Sequence, residues 1–198
     1  MLVPEAPRQD DSPAIDLKDP IVAALLAWLV PGLGHWYQGR RAKAILFFVC
    51  IMGLFGYGVV LGGGSRVDQS GNKRFLGYGR AVYLSMHSDD LRLYYISQIG
   101  VGLPAFPALF QAYQMNHNRA VIWSGFMAPP RPVEVGFNDP NKDQPTAHDL
   151  NYLLNRTFEL ATIFTAVAGL LNVLVIYDAF AGPVVMQPPA KKEEEEPA

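Results

Sequence analysis

Cysteine is almost missing from this sequence. Cys50 alone occurs among 198 residues, so the chain can close no internal disulfide and has no cysteine cluster for a metal. Cys50 falls in an apolar run and reads as a small hydrophobe buried in a membrane. Basic excess is also missing. Lys and Arg number 16 against 18 Asp and Glu, a net charge of -2, and no basic stripe is interleaved with aromatics, which excludes nucleic acid as a partner. The first nineteen residues lack the basic start of a secretory signal. They carry Glu5, Asp10, Asp11, Asp16 and Asp19 against Arg8 and Lys18, so the first apolar run is expected to be retained rather than cleaved. The most informative absence is charge over long stretches. Residues 20–39, 44–65, 93–118 and 160–177 contain no Asp, Glu, Lys or Arg, and about 18 apolar residues suffice for a helix to cross a ~30 Å hydrocarbon layer.

This segregation predicts an all-α fold, a polytopic integral membrane protein with about four transmembrane helices. The spans are expected at 20–38, 44–62, 91–115 and 157–180, joined by loops 63–90 and 116–156. An acidic N-terminal tail, 1–19, and a C-terminal tail, 183–198, are too polar and proline-rich to bury a core. Asp19 before Pro20 makes a helix start, an acidic cap followed by proline in the first turn. Pro31-Gly32 interrupts this first helix after ten apolar residues, so it either spans with a kink, the favoured arrangement, or turns back as a re-entrant segment. In the second run Gly58 and Gly62 form a GxxxG pair, expected to serve packing within one chain. Gly62-Gly63-Gly64 ends it, and a short hairpin is expected around Ser70-Gly71-Asn72. Ser88-Asp89-Asp90 should cap the third helix, which Pro104 and Pro107 should bend strongly. Tyr94, Tyr95, Tyr113 and Trp123 suit the lipid-water boundary. From Met127 to Pro145 five prolines mark a linker without a core. Thr146 with Asp149 makes a capping box, and Leu150, Leu153, Leu154, Thr157, Phe158 and Ala161 share a face expected to lie in the membrane interface.

The stretch from Pro31 to Arg40, PGLGHWYQGR, lies between two apolar runs and resembles the hairpin of TM-two domain proteins, in which a glycine-rich turn and an aromatic-Tyr-x-Gly signature join two helices. Trp36, Tyr37 and Gly39 carry the match. Gly34 stands where many of those proteins have an acid, and Pro31 is added. Residues 100–111 and the stretch from Phe158 through Asn172 to Ala179 are similar to an uncharacterised bacterial membrane-protein family, a domain of unknown function. That resemblance implies a multi-pass protein of the bacterial cytoplasmic membrane, with no activity, substrate or catalytic residue to transfer.

Chemistry-bearing motifs are scarce. His35, His87, His117 and His148 lie in four separate segments without ligand spacing. The glycine clusters lack the Lys-Ser/Thr of a phosphate loop, and no G-x-S-x-G element occurs. No catalytic, cofactor-binding or metal residue is therefore assigned, no cofactor is expected, and the chain is not read as an enzyme. In the fourth span Thr162, Thr165, Ala166, Gly169 and Asn172 cluster on one side at 100° per residue. Ile163, Phe164, Val167, Leu170, Leu171, Leu174 and Val175 take the other, giving one face for protein and one for lipid. Glu159 and Asp178 bracket the run near the headgroups. Asn172, Asp178, Gln98 and Gln111 could line a solute path, but the absence of a central charge favours packing. The expected role is structural or interactive in the membrane, the alternative a small channel or transporter subunit. Expected partners are the lipid bilayer and a second copy of the chain or another membrane protein. With four spans, the compact Arg40-Arg41-Lys43 turn sets the orientation and lies in the cytoplasm, with both termini outside.

Overall fold

The computed structural model describes residues 18–68, 70–85, 93–133 and 139–182. Residues 1–17 of the N-terminal tail, the C-terminal tail 183–198, the Ser88-Asp89-Asp90 cap and His87 lie outside the described residues. The described chain is mostly helical, and its frame is an antiparallel pair, α3 (Arg41–Leu61) and α7 (Arg156–Ala181). These two helices are long and apolar enough to cross a membrane; the other helices are too short. The expectation of four spans is therefore corrected: among the described residues two helices, not four, are long and apolar enough to span. The pair is aligned at one end by Lys43 against Asp178 and at the other by Gly58, where an added Cβ would lie 2.6 Å from the Thr165 methyl. On α7 the buried stripe runs Ala161, Thr165, Ala168, Asn172, Val175 and Ala179, spacings of four and three that keep one seam facing its neighbours. Thr162, Gly169 and Asn172 are buried and Ile163, Leu170, Leu171 and Leu174 exposed, as the face assignment predicts. Val175 is an exception. It packs in one cluster with Ile51 and Phe55 because α3 lies along this flank of α7 and widens the covered arc.

The first apolar run does not span with a kink. Asp19 caps α1 (Pro20–Leu29), its carboxylate accepting from the Ile21 and Val22 amides. The helix stops before Pro31, whose ring clashes with a continuing turn. Gly32 then adopts φ 82°, and α2 (Leu33–Tyr37) runs back along α1. Gly34 packs so tightly on α1 that an added Cβ would overlap the Ala23 carbonyl. Ten residues at ~1.5 Å each carry α1 only about half of a ~30 Å layer. The two spanning helices that a TM-two hairpin implies are thus not what residues 20–61 form.

The third apolar run is not one bent helix but a second hairpin of half-length pieces. α4 (Tyr94–Gln98) passes into a 3-10 turn at Ile99–Val101, and after Gly102 a further 3-10 turn, Leu103–Ala105, leads into α5 (Phe106–Asn116). Proline does not cause the break. Gly102 has φ 85° and ψ -135°, a conformation closed to residues with a Cβ, while Pro104 and Pro107 sit in first turns, where a missing N–H costs little. α4 runs parallel to α7, since Gln98 meets Thr165 and Gly100 meets Asn172. The Tyr95 hydroxyl donates to the Ala105 carbonyl at 2.8 Å and ties the second arm antiparallel to the first. The two hairpins thus enter from opposite ends of the α3/α7 pair and meet midway, where Gly102 abuts the Trp28 and Leu29 carbonyls.

The end distal to Asp178 carries a folded cap. Strands β1 (Ser65–Val67) and β2 (Lys73–Phe75) form the expected hairpin, with Asp68 accepting from the Ser70 and Asn72 amides. The coreless linker expected after Met127 is corrected: Met127, Ala128, Pro129 and Pro130 are buried. Arg80, 1% exposed, holds them. Its guanidinium donates to the Leu76 carbonyl, to the Ala128 carbonyl at 3.2 Å and to Gln144 Oε1 at 2.6 Å. Burial lowers its pKa to about 10. The Thr146–Asp149 capping box starts α6 (Ala147–Leu154) as expected. A break at Asn155, φ 48°, separates α6 from α7. Leu150, Leu154, Phe158 and Ala161 do not face outward; they pack on Leu76, Ala81 and Tyr83 of the cap.

Candidate functional site

Broken helices leave carbonyls without partners, and the side chains singled out in the sequence are where those carbonyls go. Asn172 is fully buried midway along α7, and its Nδ2 donates to the Ala27 carbonyl of the first hairpin at 3.1 Å and to the Gly100 carbonyl of the second at 2.9 Å. Gln98 Nε2 donates to the Thr165 hydroxyl and to the Ala81 carbonyl at 2.8 and 3.0 Å. Gln111 binds the segment beyond α5 through both ends of its amide, Nε2 to the Ile122 and Phe126 carbonyls and Oε1 from the Ile122 amide. Each amide nitrogen is thus committed to the frame, while Asn172 Oδ1 is buried without a hydrogen-bond partner. None of these three residues bonds to Asp178.

Asp178 instead belongs to a charged cluster at the open end of the pair. His35 and Lys43 approach its Oδ2 at 2.5 and 2.6 Å, and Arg40 Nη2 stands 3.6 Å away. α2 supplies His35, the turn after it Arg40, the first turn of α3 Lys43, and the last turns of α7 the carboxylate. His35 is fully buried, its ring edge-on to Phe47 with centroids 5.0 Å apart. With Nε2 protonated it donates to Asp178, and its Nδ1 has no partner. Gln38 Nε2 closes the hairpin onto α7 by donating to the Ala179 carbonyl at 2.7 Å. Arg40 is less well satisfied. Its Nη1 is buried without a hydrogen-bond partner, and its ion pair is longer than a hydrogen bond. Lys18 lies 4.9 Å over the Tyr37 ring and Arg41 5.8 Å over Trp36. Asp178 therefore sits among several cations at this end, where Asp19 caps α1.

Sequence reasoning treats His35 as one of four scattered histidines and so misses this cluster. His35 and Asp178 are 143 positions apart. One signal was present: His35, Arg40 and Lys43 fall within nine residues, and Asp178 is a lone acid closing another, otherwise uncharged run. His117 and His148 remain outside the cluster, and no group of three or more His, Cys, Asp and Glu suited to a metal occurs among the described residues. Cys50 is exposed on α3.

Residues 22–192 match the model of a family of unknown function (DUF6677). No curated protein and no solved structure matches the chain.

Proposed function

The chain belongs to this family of unknown function, and from that premise we propose that it is an integral membrane protein with a structural or protein-interaction role in the bilayer and no catalytic step. The observation that carries this is the bareness of its long helices. Only 22% of the apolar window of α3 and 39% of that of α7 is buried, whereas the core helix of a water-soluble domain would be covered on most sides. Ile45, Leu46, Val49, Val60, Leu170 and Leu174 all stand outward. Hydrocarbon is the solvent that accepts such a surface, and the broken hairpins keep their backbone breaks inside the bundle, as a bilayer requires. The partners of this reading are the lipids themselves and either a second copy or another membrane protein. Alkaline carbonate extraction tests it: the chain should stay in the membrane pellet, and release into the supernatant would end the reading.

A channel or transporter subunit is the second reading. Two half-length hairpins meeting midway favour it, since discontinuous helices of this kind surround substrate sites in transporters. The commitment of Gln98, Gln111 and Asn172 to carbonyls counts against it. Flux of ions or small solutes into liposomes holding the purified protein separates the two, and selective flux would replace the first reading.

A further inference from the structure

We propose that the Asp178 end of the α3/α7 pair is a binding site for an anionic phospholipid, its phosphate taken by Arg40 with Lys43 and one acyl chain lying in the groove between the two helices. The proposal rests on the membrane reading above. Two observations converge on it.

The first is the state of Arg40. A guanidinium offers five donors in a planar fork that matches two oxygens of a phosphate. Here Arg40 is 21% exposed, its Nη1 is buried without a partner, and its contact with Asp178 is 3.6 Å. Unused donors on a largely buried cation are costly unless a ligand completes them. Asp178 does not complete them here: its Oδ2 receives His35 and Lys43, and Arg40 Nη2 stands 3.6 Å from that oxygen. Arg41 follows at once in the chain, so Arg40, Arg41 and Lys43 outnumber the carboxylates of Asp178 and Asp19 at this end.

The second is the surface that leads away from it. A groove of about 450 Å³ runs between α3 and α7, walled by Leu46, Cys50, Ile51, Leu171, Leu174 and Val175, with Asp178 at its mouth. Its wall is almost entirely apolar, and its charged end is that of the cationic cluster. Lys43 at 2.6 Å and Arg40 at 3.6 Å from the Asp178 carboxylate put two cations beside the mouth of an apolar trough, an arrangement complementary to a phosphate joined to an alkyl chain; a free phosphate would leave the trough unused. Basic pockets between membrane helices hold acidic head groups by this combination of charge and chain burial.

The test uses the full chain in detergent micelles, titrated with phosphatidylglycerol, with phosphatidylcholine and with inorganic phosphate, bound lipid being counted by native mass spectrometry. Phosphatidylglycerol should bind saturably and at least about fivefold more tightly than phosphatidylcholine. Arg40→Gln should weaken it about fivefold, and Arg40→Gln with Lys43→Gln about 25-fold, at roughly one such factor for each charge lost. Arg66→Gln, in the hairpin at the far end, should leave it unchanged. Leu174→Trp, a change on the outward face that fills the groove, should weaken both lipids and carries the test should the Arg40 variant fail to fold. Equal binding of the two lipids, or undiminished phosphatidylglycerol binding by Arg40→Gln, overturns the site. Saturable inorganic phosphate binding that responds to Arg40→Gln, with no preference between lipids, makes it a free-anion site instead. A chain that carbonate releases from membranes sinks the membrane reading first, whereas a retained chain without lipid preference sinks only this site.

Discussion

Asn172 does at one point what a turn of helix would otherwise do, since its two amide hydrogens meet the carbonyls of Ala27 and Gly100, one from each hairpin. Replacing it by Leu keeps the branched outline and removes both donors. Interhelical hydrogen bonds in membranes average about 0.6 kcal/mol and seldom exceed ~2; with two carbonyls orphaned at once, Asn172→Leu should cost about 1–2 kcal/mol. Gly169 stands one turn earlier, and an added Cβ would overlap the Ser97 carbonyl. Gly169→Leu should therefore cost more than Asn172→Leu, because it drives α4 off α7 and opens the whole seam. Leu170, 56% exposed, should tolerate Ala with a loss under about 0.5 kcal/mol. Thermal unfolding of the three variants in detergent checks the order, and Leu170→Ala as the most damaging would reverse the assignment of faces on α7. The seam was legible in the sequence because small and hydroxylated residues recurred at helical spacing. What Asn172 binds was not, since both acceptors exist only where Pro31 and Gly102 break two other helices.

At the scale of elements, the breaks decide the architecture. Gly102, at φ 85° against the Trp28 carbonyl, is the point where the second hairpin reverses. Gly102→Ala combines a strained backbone, about 1–3 kcal/mol, with a clash against fixed main chain. It should lower the unfolding midpoint well below that of Pro104→Ala, which removes only a first-turn proline. Equal midpoints would mean that the prolines make the turn. Sequence alone points to the prolines because their effect on a helix is known in advance, while the φ of a glycine is not. The α6 cap was legible in full, being local. Burial raises the Asp149 carboxyl pKa, but bonds from the Thr146 amide and hydroxyl and the charge of Arg74 outweigh it, and the net value lies below the ordinary 3.8. A depressed folded-state pKa places the stabilisation above 3.8, to be lost as pH falls through the folded value. Asp149→Asn should therefore cost about 0.5–1 kcal/mol near neutrality, and the gap from the native chain should close below pH 3.8. Unfolding curves of both proteins from pH 7 to 3 measure it, and a gap that widens on acidification would contradict the cap.

At the scale of the whole molecule, the membrane reading proposed above makes the two hairpins re-entrant and redraws which loops share a side. Four spans would place the turn at Arg40, Arg41 and Lys43 opposite both termini. With two spans, α1 starts and α7 ends beside that turn, as Gln38 bonded to Ala179 and Lys43 bonded to Asp178 require. Residues 18 and 182 then lie on the side of Arg41, while β1, β2, α6 and Arg119 lie on the other. Sequence arithmetic could not see this, because a stretch that crosses and one that enters and returns are equally uncharged; only depth distinguishes them, and depth is set by Gly32 and Gly102. The positive-inside rule weighs charges close to helix ends in short loops. Arg40, Arg41 and Lys43 occupy a turn of three residues between α2 and α3 and its continuation into the first turn of α3. That side is accordingly expected in the cytoplasm, and residues 18 and 182 with it, reversing the orientation of the termini. In a Cys50→Ser background, single cysteines at positions 18, 41 and 182 should be protected from an impermeant maleimide in intact cells and labelled after permeabilisation. A cysteine at position 70, in the β1–β2 turn, should label in intact cells. Labelling of 41 opposite to both 18 and 182 would restore four spans, and labelling of 18 opposite to 182 would mean that one hairpin crosses.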